Sequence, residues 1–275
     1  MSKQNLLIAI SGGRSSAMMS YHIHTSELYK DYNKVYCFAN TGMERMETIE
    51  FLKNVEKYWG IEITKIEGVY SDIMGIGINY KIVDWDNLNM NAVPFEGAIM
   101  HRTKGNFNDL PNISAPYCSD VMKTQPVKKL ADTIFGINNY QIALGFRAED
   151  MPKRISWAEI KADKKRIFPL LTDFKTPITQ NDLNRFFDSQ LFKLGIHSDL
   201  GNCELCWKKS QKKLIESIKY GTRFIEWMNS MEIKYNSTMF INKLSINDLV
   251  KMANYPTTGK INFDDTDDNC VCTFQ

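Results

Sequence analysis

The stretch LLIAISGGRSS (6–16) decides the fold class. Five apolar residues, Leu6 to Ile10, are too few for a buried helix and read as a buried strand. Ser11, Gly12 and Gly13 then break the run. SSAMMSYHIHTSELYK continues with a helical pattern. Two glycines let the backbone turn tightly and aim successive N–H groups at one point. The start of the next helix adds partial positive charge there. Ser11, Ser15 and Ser16 supply hydroxyls, and Arg14 supplies a permanent cation. Such a loop, at the carboxyl end of a strand, is a phosphate cradle. The Walker A spacing is absent, and so is G-x-G-x-x-G. A serine-capped turn with no ligand is the competing reading.

Working outward, VYCFANTG (35–42) predicts a second strand, ETIEFLKNVEKYWG (47–60) a helix ending at a glycine, and IEITKIEGVY (61–70) a third strand. Alternating strands and helices imply an α/β fold. We expect a parallel, Rossmann-like sheet with helices on both faces. Residues 71–114 are rich in Asn and Gly and read as an irregular or mobile insertion over the sheet edge. Order is expected to return with a helix over 123–135 and a strand in QIALGF (141–146). After FPLLTD the pattern is helical, in TQNDLNRFFDSQLFKLG, in KKSQKKLIESIKYGTRFIEWMNSM and in SINDLVKMAN. This divides the chain into a nucleotide-binding part, 1–170, and a mainly helical extension, 171–275.

The chain has 275 residues, 43% hydrophobic and 24% charged, which is ordinary for a globular protein and excludes disordered and collagen-like classes. No apolar run approaches the ~20 residues of a membrane span. The start of the chain lacks the features of a secretory signal, so a cytoplasmic protein with no membrane partner is expected. The net charge of +2 selects no partner. Basic residues nevertheless gather in 147–166 and 203–223, whereas 263–269 is acidic. Solvated helix faces would explain these clusters as well as a phosphate-bearing partner would.

Cys203-Glu-Leu-Cys206 is a C-x-x-C after a glycine turn, able to place two thiolates on one metal. A redox dithiol with no metal is the alternative. Cys37, within the second strand, reads as a small buried hydrophobe. His22 and His24 read as packing residues. His101, within the irregular segment, could reach a substrate.

Several segments together carry a family resemblance. SGGRSS resembles the PP-loop of the adenine nucleotide alpha hydrolase superfamily. CFANTGMERMETIEF (37–51), PYCSDVMKTQPVKKL (116–130) and ALGFRAEDMPKR (143–154) resemble motifs of its 3′-phosphoadenylylsulfate (PAPS) reductase family. FPLLTD and GNCELCWKKS follow in the same order, so the resemblance spans about Leu6 to Leu214. It implies an adenine nucleotide site built from Ser11, Gly12, Gly13, Arg14, Ser15 and Ser16. Asn40, Thr41 and Gly42 would lie beside the adenosine, and Gly145 and Arg147 would face the cradle. Arg14 and Arg147 are the implied catalytic cations.

The resemblance further implies ATP, with Mg²⁺, cleaved between the α- and β-phosphates. That would activate a nucleic-acid or protein acceptor for sulfur transfer from a sulfur donor. It also implies a third thiolate, Cys118, beside Cys203 and Cys206. Three thiolates suit a 4Fe–4S cluster with one open iron, although four cysteines are commoner. Cys270 or Cys272 could complete the set, and zinc with His197 is the alternative metal. Two other activities remain open: a reductase of PAPS or APS using a thiol reductant, and a nucleotide-binding module with a structural metal. The sequence departs from the family in three places. Ser15 stands where ATP pyrophosphatase loops carry Asp, Tyr117 precedes Cys118 where relatives pair two cysteines, and Asn269-Cys270-Val271-Cys272 differs from the reductase tail.

Overall fold

The computed structural model describes residues 3–103 and 110–255. The acidic run 263–269, Cys270 and Cys272 lie outside the described residues.

Six strands form one sheet in the order β4-β3-β2-β1-β5-β6. β1 (Asn5–Ile10) is central, paired in parallel with β2 (Asn33–Asn40) on one side and with β5 (Gln141–Ala143) on the other. Leu6, Leu7 and Ile8 have no exposed surface, because both faces of the strand are covered. That is why the strand reads as an unbroken apolar run rather than an alternation. β3 (Ile63–Val69) pairs in parallel with β2, β4 (Asn79–Val83) lies antiparallel on β3, and β6 (Arg166–Ile167) closes the other edge beside β5.

α1 (Arg14–Thr25) and α2 (Met46–Trp59) pack on the face formed by Leu6, Ile8 and Ile10. Gly60, at φ 68°, ends α2 in the left-handed cap that glycine adopts without strain. α3 (Val93–Thr103) precedes a π-helical turn, Asp120–Thr124, that runs into α4 (Gln125–Phe135). Val127 and Leu130 of α4 cover the opposite sheet face against Leu7, Cys37, Ala39 and Ile66. Cys37 is thus a core residue, and burial pushes its thiol pKa up.

α5 (Trp157–Ala162) and α6 (Pro169–Thr172) flank β6. α7 (Gln180–Asp188) returns to the first face, where Leu183 and Phe187 join the cluster of Leu6 and Phe38. α8 (Gln211–Tyr220), α9 (Ile225–Tyr235) and α10 (Ile246–Asn254) form a second core with α3 and the π-turn, through Phe95, Ile99, Val121, Leu214, Met228 and Leu249. The chain after residue 170 therefore contributes to both cores.

The α/β class and the mostly parallel sheet are as expected. Three local expectations are corrected. Residues 71–114 are not irregular throughout, since they supply edge strand β4 and helix α3. Gly75, Gly77, Asn89 and Asn91 lie in the connections that bound these elements. The helical stretch expected across 208–231 is two helices, broken where Gly221 takes φ 102°. QIALGF yields a strand of only three residues, because Leu144 to Arg147 turn away to build the site described next. None of the described helices is long and apolar enough to cross a membrane.

Candidate functional site

The chain runs outward from β1 to β4, then returns to the other side of β1 for β5 and β6. The order reverses between β1 and β5, the point where open α/β sheets leave a crevice beyond the strand ends. The loop after β1 and the loop after β5 meet there. A Cβ built on Gly145 would stand 3.0 Å from the Ser15 carbonyl oxygen, the Ser16 Cα and the Ser16 nitrogen. The two backbones approach so closely that a side chain at 145 would press on the loop after β1.

The loop after β1 is held from within. Ser16 Oγ donates to the Gly13 carbonyl (2.9 Å) and accepts from the Ser11 N–H (3.1 Å), with Ser11 Oγ also 3.1 Å away. Gly12 takes φ 81° and abuts Thr48 of α2 so closely that a Cβ would overlap the Thr48 methyl. Gly13 is the N-cap of α1, and no side chain caps the helix start. Gly13 has no side chain to occupy the start of α1, and helix starts of this kind suit anions. Arg14 Nη1 donates to Asn184 Oδ1 of α7 at 2.8 Å. Ser16 thus shapes the cradle, while Ser11 and Ser15 stand at its partly exposed rim.

Arg147, two residues beyond Gly145, is 1% exposed, and its backbone N–H donates to Asp150 Oδ2 at 2.9 Å. Asp150 also binds Arg154 at 2.7 Å, and the Arg154 guanidinium lies over the Phe146 ring. Arg154, a candidate phosphate contact within the basic segment, is therefore used in holding the loop after β5.

The residues ending β2 have internal roles. Asn40 is fully buried. Its amide donates to Glu67 Oε1 (2.7 Å) and to the Asn89 carbonyl (2.8 Å), and its Oδ1 accepts from the Gly42 N–H (3.0 Å). Gly42 takes φ 81° against Ala92 and Pro94. Thr41 Oγ1 donates to Glu44 Oε1 at 2.8 Å and lies 3.4 Å from Cys203 Sγ. Thr41 thus belongs to a second feature, a cleft lined by Cys118, Cys203 and Cys206.

All three cysteines are less than a tenth exposed. Cys118 leads into the π-turn, a helix irregularity often found at functional sites. The Trp207 indole N–H donates to Cys118 Sγ at 3.3 Å. Lys123 and Lys208 line the same cleft, and Lys123 Nζ is 3.7 Å from Glu44 Oε1. Sulfur donors with cations and N–H groups beside them match a thiolate-held metal in kind. As they stand, no three Cys, His, Asp or Glu side chains among the described residues are grouped as ligands of a metal ion. His197, the alternative zinc ligand, does not line the cleft, and its Nδ1 is 3.6 Å from Asp199 Oδ2.

Sequence reasoning missed the residues that fasten the C-x-x-C to the sheet. Glu44 and Cys203 form a β-bridge, and the Glu204 N–H donates to the Met43 carbonyl at 2.9 Å. Arg45 is buried and donates to the carbonyls of Leu200, Gly221 and Ser217, and to Ser217 Oγ. Arg223 binds the buried carboxylate of Glu204 and the Glu44 carbonyl. The one available signal was charge in Met43-Glu-Arg45, directly after a buried strand. His22 is held by Asp173 (3.0 Å), and His101 Nδ1 lies 2.9 Å from the Ser71 carbonyl.

The chain is similar to a protein of Escherichia phage lambda. That protein, named "uncharacterized nin region protein ORF290", is 29% identical over 210 residues, covering 76% of this chain and 67% of its own length. No family model matches the chain, and no solved structure matches it.

Proposed function

We propose that the chain is a nucleotide-dependent enzyme of the PP-loop type. In this reading it binds ATP in the crevice between β1 and β5 and cleaves it between the α- and β-phosphates. The acceptor so activated then receives sulfur or a related modification, and nucleic acid is the acceptor class we favour. The observation that carries the reading is the contact of Gly145 with Ser15 and Ser16. It brings two separately recognised motifs together at the sheet's reversal point.

The chemistry follows from the residues. The N–H groups at the start of α1 bind phosphate oxygens, and Ser11 and Ser15 add hydroxyl donors. Arg147 and Arg14 offset the charge that builds on the leaving pyrophosphate, and Mg²⁺, when bound with ATP, would add positive charge there. Burial of Arg147 strengthens its field, because little water screens it. Cys118, Cys203 and Cys206 would hold an iron–sulfur cluster of the 4Fe–4S type. When bound, it would supply an open iron able to carry sulfur. Residues 40–44 join the two places: Asn40 ends the strand beside the cradle, and Thr41 touches Cys203.

Calorimetric titration with ATP tests this reading. Saturable binding that weakens about tenfold or more in Arg147→Ala supports it, as expected for a lost charge-assisted contact. Absence of binding to ATP and to PAPS alike would refute it. Binding of PAPS with sulfite release, and none of ATP, would assign the reductase activity instead.

A further inference from the structure

Another cleft, of about 370 Å³ and with charged groups at its rim, lies away from the crevice and the cysteines. It runs between the outer flank of α4 and the β6 edge of the sheet. Ile142 of β5 forms its floor, packed against the core beneath α4. Thr124 and Lys128, one helical turn apart, form one wall. Lys165 and Arg166 stand opposite them, and Asn138 and Tyr140 close one end.

Three cations and one carboxylate, Asp163, line this cleft. Asp163 is already committed to Arg166, with which it forms an ion pair. Neither Lys128 nor Lys165 has a carboxylate partner among the described residues. Lys165 Nζ makes only a long contact, 3.4 Å, to Asn138 Oδ1. Two ammonium groups thus flank a space whose one carboxylate, Asp163, is paired with Arg166.

Thr124 adds an independent observation. Its Oγ1 is buried and has no hydrogen-bond partner. A helical threonine ordinarily satisfies its hydroxyl on the carbonyl four residues back. Here the π-turn routes the Gln125 N–H to the Asp120 carbonyl, and the Thr124 hydroxyl makes no such bond. A buried hydroxyl left unsatisfied on the wall of the cleft calls for a partner, an ordered water or a ligand oxygen.

We propose that this cleft binds a phosphate group, gripped by Lys128 and Lys165 and accepting a hydrogen bond from the Thr124 hydroxyl. Nothing in the proposal depends on ATP turnover in the crevice. The phosphate belongs either to a small phosphorylated molecule or to the backbone of a single-stranded nucleic acid, and both offer the same tetrahedral anion to the site.

The test follows backbone amide resonances of the full chain by NMR during titration with inorganic phosphate, and separately with a single-stranded 20-nucleotide oligonucleotide. The amides of Thr124, Lys128, Asn138 and Lys165 are expected to shift saturably, apart from those of the cradle at Ser11 to Ser16. In Lys128→Gln/Lys165→Gln the affinity read from these shifts should fall about tenfold or more. With the oligonucleotide, the salt dependence should also become shallower by about two charges. Thr124→Val should weaken both probes without altering the fold. Shifts with phosphate alone assign a small ligand, and shifts with the oligonucleotide assign a nucleic-acid backbone. Unmoved resonances with both probes, or a double variant that binds within twofold of wild type, would overturn the proposal. The lysines are exposed, so loss of folding does not confound the result.

Discussion

Gly145→Ala puts the crevice to a direct test. The added methyl would sit 3.0 Å from three backbone atoms of Ser15 and Ser16, where ordinary contacts begin near 3.4 Å. Backbone cannot rotate aside as a side chain can, so the two loops must separate by several tenths of an ångström. Overpacking of this kind costs about 1–3 kcal/mol. For a domain of this size that lowers the melting temperature by roughly 2–12 °C. The effect on function should be larger than the effect on stability. Anion-binding N–H groups work within about 0.5 Å of their productive positions, so ATP affinity should fall about tenfold or more while the protein stays folded. Calorimetry with ATP and a thermal melt on the same preparation would measure both. Gly77→Ala is the control, because nothing lies within 4 Å of a Cβ there, and it should leave affinity and melting unchanged. Wild-type affinity and melting in Gly145→Ala would show that the loops do not cooperate as argued.

Other outcomes follow from the same structure. Thr41→Val removes a 2.8 Å hydrogen bond to the buried Glu44 carboxylate and should cost about 1–3 kcal/mol in denaturant unfolding. Anaerobic purification should yield iron and sulfide, and Cys118→Ala, Cys203→Ala and Cys206→Ala should each abolish them. Retention of metal in any of them would remove that residue from the set. Burial, against the Ile246 N–H and aided by Asp248, raises the Glu232 carboxyl pKa to about 7. Its protonated form therefore favours the fold, with the contribution complete below the ordinary carboxylate range and lost as pH rises towards 7. Glu232→Gln should be more stable than wild type by about 1–3 kcal/mol at pH 8, with the difference vanishing near pH 4 in urea unfolding.

What the sequence made legible is tied to short-range rules. A run such as Leu6 to Ile10 ending in two glycines can hardly be anything but a buried strand entering a tight turn. Gly60 after an apolar helical stripe marks a helix end equally well. The crevice was legible for the same reason, since Ser11 to Ser16 and Gly145 to Arg147 lie at strand ends whose parallel order brings them together. Asn40 and Thr41 were placed correctly at the end of β2, yet their side chains turn to Glu67, Asn89, Glu44 and Cys203. Those bonds span up to 162 positions, and no local pattern encodes them. Arg45 and Arg223 were hidden likewise, because a charged side chain reads as solvated until the carbonyls that bury it are known. In residues 71–114, Asn-rich turns masked α3, whose apolar partners include Trp227 of α9, more than a hundred residues away.

The most direct measurement is product analysis after incubating the protein with α-labelled ATP and Mg²⁺, with and without single-stranded nucleic acid. The account predicts AMP and pyrophosphate, with turnover lost in Arg147→Ala. ADP and phosphate as the products, or no turnover under either condition, would contradict it.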